Sequence, residues 1–167
     1  MYGQETLVRY LQDAEAAERN FEDALESLSK AGDQPAVQSA LAGMSKKART
    51  QHERLEARLE ALGASRSTVK SALAHALGFA PMLGQVGQLP GEKSTQHLIL
   101  TIAAAAAESA MYEALATAAA AAGDPTTEQL ARQLQGEERQ DYEQAADLLR
   151  QSALDTFERA MKRDNVQ

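Results

Sequence analysis

The chain has no cysteine and no tryptophan, and aromatic residues make up only 4% of its 167 positions. Without a thiol there can be no disulfide, no thiolate nucleophile and no sulfur-ligated metal. Basic residues are also in deficit: 17 Lys and Arg stand against 24 Asp and Glu, for a formal charge of −7. That balance argues against a nucleic-acid surface, which needs a basic footprint, and against an anionic membrane surface. The first residues, MYGQETLVRYLQD, are polar and acidic where a secretory leader would be basic and then apolar. The expectation is a cytoplasmic protein with neither nucleic acid nor membrane as partner.

What the chain does have is alanine and aliphatic residues, which suit closely packed helices better than a β-sheet. Its length suits one domain spanning residues 1–167. The longest apolar run, LILTIAAAAAESAMYEALATAAAAAGDP over residues 98–125, is interrupted by Glu108 and Glu113 and by several hydroxyls. These argue against a transmembrane span. They also raise a question, because burying an unpartnered carboxylate costs on the order of 1–3 kcal/mol or more.

Glycine and proline divide the chain into four long helices. The first runs from about Gln4 to Ala31 and stops at Gly32. Asp33-Gln34-Pro35 reads as an N-cap with proline in the first turn of a second helix, which ends at Leu62 before Gly63. A third begins near Glu92. Gly123-Asp124-Pro125 repeats the stop, cap and start ahead of a fourth helix reaching towards Met161. Residues 63–91, including SRSTVKSALAHALGFAPMLGQVGQLP, read as a crossover with a short helix to about Leu77 and an apolar, glycine-rich remainder. Short links make two antiparallel hairpins, and the long link joins them. The predicted fold is an all-α antiparallel four-helix bundle with a long crossover between its second and third helices.

Each long helix carries an apolar stripe at helical spacing. The first is Leu7, Leu11, Ala14, Glu18, Phe21, Leu25 and Leu28; the second is Val37, Leu41, Met44, Ala48, then Gln51 or His52, then Leu55, Leu59 and Leu62. The third is Leu98, Ile102, Ala105, Glu108, Tyr112 and Leu115, and the fourth is Leu130, Leu134, Glu138, Asp141, Ala145 and Leu148. Every stripe is broken by a polar residue near its middle, and Glu138 and Asp141, three apart, share one face. Inward carboxylates from several helices are how such bundles build two-metal sites. Glu18, Glu108, Glu138 and Asp141 are therefore candidate metal ligands, with His52 as a candidate nitrogen donor. No nucleotide-binding glycine loop and no nucleophile–histidine–acid set accompanies them.

The segments LQDAEAAERNFEDALESLSKAGDQPAVQSAL and QHERLEARLEALG, with EKSTQHLIL, AESAMYEAL and LQGEERQDYEQAADLL in the second half, resemble the YciF/YciE branch of the ferritin-like superfamily. The resemblance covers most of the chain and is weakest in the crossover. It implies a homodimeric bundle with a dinuclear iron or manganese site and a link to stress responses, without an assigned reaction. Its ligands fall on Glu18, Glu108, Glu138 (or Glu137) and Asp141. The second helix departs from the pattern: about four residues before Gln51, where the family usually has a glutamate, stand Lys46 and Lys47. His52 offers a neutral nitrogen one residue beyond the expected register. The resemblance thus implies a degenerate di-metal site. The rival expectation is a non-catalytic structural or interaction bundle in which Lys47 or His52 neutralises the acids.

Overall fold

Two of the three chain reversals predicted from glycine and proline are built the same way. A computed structural model describes residues 2–66 and 91–164. Among these residues the elements are α1 (Tyr2–Ala31), α2 (Pro35–Ala61), α3 (Lys93–Ala122) and α4 (Pro125–Asp164), with no strand. At the end of α3, Gly123 takes a left-handed conformation at φ 70°, and Asp124 N–H donates back to Ala119 O at 2.9 Å. At the end of α2, Gly63 is also at φ 70°, and Ala64 N–H donates to Leu59 O at 2.9 Å. Both are six-to-one closures that a residue with a Cβ would strain.

Gly32 serves differently. A Cβ built there would lie 3.0 Å from Gln38 Cγ and 3.3 Å from Ser94 Oγ, so this glycine permits close approach. The neighbouring aspartate also departs from expectation. Gln34, not Asp33, occupies the N-cap of α2, without a side-chain cap bond. Asp33 Oδ1 instead accepts from Ser94 N–H in the first turn of α3, while Ser94 Oγ accepts from the backbone of Asp33 and Gln34. Asp33 thus ties the α1–α2 link to the start of α3.

The helices are antiparallel where they meet. Along α2 and α4, Arg58 bonds Asp124, Arg54 bonds Glu137, Gln51 bonds Glu138 and Gln34 reaches Ser152, so one numbering rises as the other falls. The structure is the predicted all-α four-helix bundle. Most of the predicted crossover (residues 63–91), with the short helix expected in it, falls on residues 67–90, outside the described residues.

The apolar stripes line the interior, but they do not make one continuous core. One cluster gathers Leu7, Leu11, Ala14, Leu55, Leu59, Tyr112, Leu115 and Leu134. A second gathers Phe21, Leu25, Leu41, Met44, Ala48, Leu98, Ala104 and Ala145. On every helix the residues between the two clusters are the polar breaks: Glu18, Gln51, Glu108, and Glu138 with Asp141. By length and composition α3 could cross a membrane. Here its inner face carries Ser94, His97, Thr101, Glu108 and Tyr112 into the bundle.

Candidate metal centre

Glu18, Glu108 and Glu138 come from α1, α3 and α4, are at most 3% exposed, and each brings a carboxylate oxygen within 4.8 Å of the others'. Helical geometry explains the convergence. Each sits three or four residues from an interior apolar neighbour, so packing of the two clusters carries the carboxylates inward at one depth. Asp141 lies one helical turn beyond Glu138 and is equally buried. Glu137, the alternative to Glu138, faces α2 and pairs with Arg54 at 2.8 Å.

The second helix contributes Gln51 and Lys47 at this level. Gln51 is 1% exposed and donates from Nε2 to Glu138 Oε1 at 2.9 Å. Lys47 donates from Nζ to Asp141 Oδ1. His52, one residue past Gln51, turns to the α1 side, where its Nδ1 lies 2.9 Å from Glu22 Oε2. Tyr112 is wholly buried and donates its hydroxyl to Glu18 Oε1.

Several oxygens in this layer have no amide, ammonium or hydroxyl donor: Glu18 Oε2, Glu108 Oε2, Glu138 Oε2 and Gln51 Oε1. Native interiors rarely leave buried polar atoms so, and each such atom calls for an explanation. The energetic consequence is protonation. Burial, and then the charge of Glu138, hold the Glu18 carboxyl well above its ordinary range, against the hydrogen bond from Tyr112. Burial followed by the charges of Glu18 and Glu138 does the same to Glu108. Glu138 is pushed up to about 7 by burial and by Asp141, against the pull of Gln51 and Lys47. Asp141 is raised by burial, with Lys47 opposing.

Such a layer can do one of two things at neutral pH: retain protons, or exchange them for a cation. The donor set is all oxygen and mostly anionic, which suits hard and borderline divalent ions such as manganese and iron(II). Three carboxylate oxygens less than 5 Å apart can converge on an ion with metal–oxygen bonds of about 2.0–2.2 Å. The residues therefore fit a metal ion.

Sequence reasoning left one participant open and missed two others beside this region. Gln51 was one of two possibilities in the α2 stripe, and the structure gives it the inward position. Glu15, on the adjoining face of α1, is fully buried, with Arg19 at 3.4 Å and neither oxygen hydrogen-bonded. Glu22 is 7% exposed and gathers Arg49 and His52. The buried acids of α1 lie at positions 15, 18 and 22, a helical spacing that marks a face but not which part of it is covered.

Fold and site together define a four-helix bundle whose core is divided by a buried carboxylate layer. Residues 3–159 match the family described as Domain of unknown function (DUF892), and the chain belongs to it. A protein of Xanthomonas campestris pv. campestris has a similar structure, at TM-score 0.80 and 22% identity over 96% of this chain and 99% of that one. The Escherichia coli stress protein YciF is similar at TM-score 0.79 and 18% identity, over 90% of this chain and 96% of that one. YcfI of Rhodopseudomonas palustris matches at TM-score 0.78 and 18% identity, over 86% of this chain and 92% of that one. No curated protein matches the chain.

Proposed function

We propose that this chain is a metal-binding bundle of the ferritin-like type that holds iron or manganese at Glu18, Glu108 and Glu138. The observation that carries the reading is the convergence of three buried glutamates from three helices, each with an oxygen that no amide, ammonium or hydroxyl donor reaches. A bound divalent ion would relieve both the repulsion among the carboxylates and the loss of their hydration. Such an ion supplies, when bound, the capacity to react with oxygen or peroxide.

The chain's own residues have separate tasks. Glu18, Glu108 and Glu138 bind. Tyr112 fixes the rotation of Glu18 by its hydrogen bond, and Gln51 does the same for Glu138. The two apolar clusters on either side keep water from the layer. A role under stress is consistent with the fold shared with the Escherichia coli stress protein. A homodimer in the cytoplasm completes the proposal; acidic composition and the absence of cysteine agree with that location.

A second reading has one observation in its favour, the Lys47–Asp141 ion pair, which gives the acids a cation from the chain itself. On that reading the bundle is structural and takes no metal. The test is metal content after anaerobic loading of the wild type and of Glu108→Ala. The metal reading expects the wild type to retain an ion that the variant loses; the structural reading expects neither to retain one.

A further inference from the structure

Between α2 and α4 runs an open groove of about 870 Å³, lined on the α2 side by Ala36, Ala40 and Gly43 and closed at one end by Lys47 and Asp141. Small side chains keep the groove wide, and through it the Lys47 side chain reaches inward. That side chain is 34% exposed, whereas its partner Asp141 is 2% exposed. The ammonium is thus delivered from the groove to the edge of the carboxylate layer.

We propose that the layer is built for a single metal ion, because Lys47 is a resident cation in place of a second one. The inference rests on the metal-binding reading above and deepens it. Three observations lead to it. First, α1, α3 and α4 each supply a glutamate, but at the same depth α2 supplies an ammonium and an amide, Lys47 and Gln51. A second ion would need carboxylates of its own, and α2 has none to give there. Second, the fourth acid is already engaged: Asp141 Oδ1 accepts from Lys47, and Glu138 Oε1 accepts from Gln51. Among the fully buried oxygens of the layer, those without such donors are one each on Glu18, Glu108 and Glu138, plus Gln51 Oε1, which suits one coordination set. Third, charge limits occupancy. Four carboxylates less one ammonium leave three negative charges for metal to neutralise. One divalent ion leaves a single negative charge, which a retained proton removes; two divalent ions beside the ammonium would leave the layer positive in a site of low dielectric.

The test is Mn(II) stoichiometry by equilibrium dialysis on the full chain, with electron paramagnetic resonance of the bound ion. Wild type is expected to bind about one Mn(II) per chain, with a spectrum free of coupling between neighbouring ions. Lys47→Glu restores a carboxylate to α2 and is expected to bind about two, with coupled spectra. Two ions per wild-type chain would overturn the inference while leaving the metal reading intact. No bound Mn(II) in either protein would overturn both. Should Lys47→Glu fail to fold, Lys47→Gln serves: loss of the nearby positive charge is expected to tighten Mn(II) binding about tenfold or more. Unchanged affinity in that variant would equally overturn the inference.

Discussion

Tyr112 on α3 and Glu18 on α1 are joined by a hydrogen bond inside the bundle, with the phenol wholly buried and the carboxyl fully enclosed. The bond lies where the apolar cluster around Leu115 meets the carboxylate layer. It holds down a carboxyl that burial and Glu138 otherwise raise, and it ties the two hairpins together at the proposed site. Removing it tests the layer without changing the packed volume. Tyr112→Phe is expected to destabilise the metal-free protein by about 1–3 kcal/mol, the cost of leaving a buried acceptor unmade. Urea unfolding at pH 7.5 measures this. A neutral result would show that Glu18 does not depend on the phenol.

The layer also makes a signed prediction for pH. Glu138 has a folded-state pKa of about 7, above its value in an unfolded chain, so the folded protein holds a proton that the unfolded one releases. Its contribution to stability is present below about pH 4.3 and is lost as pH rises through about 7. His97, whose pKa burial lowers, works in the opposite direction on acidification, so the comparison needs a variant. In Glu138→Gln the amide mimics the protonated acid and still accepts from Gln51. Without metal, the variant is expected to exceed wild type at pH 8 by on the order of 3–4 kcal/mol, with the gap narrowing to about 1 kcal/mol at pH 5. A constant difference across that range would contradict the assignment.

Asp124 is expected to matter more than a surface acid should. It accepts Thr127 N–H at 3.0 Å as the N-cap of α4, and both of its oxygens accept from Arg58, at 2.8 and 2.7 Å. Asp124→Ala should cost about 1–3 kcal/mol, because it removes a cap and strands a half-buried guanidinium. Arg58→Ala should cost less, about 0.5–1 kcal/mol, since Asp124 keeps its bonds to Thr127. The double variant, measured by thermal unfolding, should show that the two losses are not additive.

How much of this could be read from the sequence varies with the kind of force involved. The stripes were legible because burial follows helical period: Leu11, Leu25, Leu41, Leu59 and Leu134 all lie where spacing places them. The inward glutamates were legible for the same reason, as polar residues occupying apolar positions. Hydrogen-bond partners were not. Asp33 reads as a cap for the helix that follows it, yet its oxygen goes to Ser94, more than sixty residues away in sequence. Gln51 and His52 were interchangeable by period, because adjacent residues differ by only 100° around a helix and the stripe is wide. Packing against α4 decides between them, turning Gln51 to Glu138 and leaving His52 to Glu22. Glu15 is buried one turn from a proposed ligand, and no periodicity distinguishes it from a solvated acid.

The measurement that tests the central claim most directly is metal content per chain, by mass spectrometry, of wild type and Glu108→Ala after anaerobic loading with iron(II) or manganese(II) and removal of free ion. The metal-binding account predicts about one tightly held ion per wild-type chain and none in the variant, which loses one of the three converging carboxylates. Equal metal in both proteins would place the ion elsewhere, and no metal in either would make the carboxylate layer a protonated, Lys47-paired part of the fold.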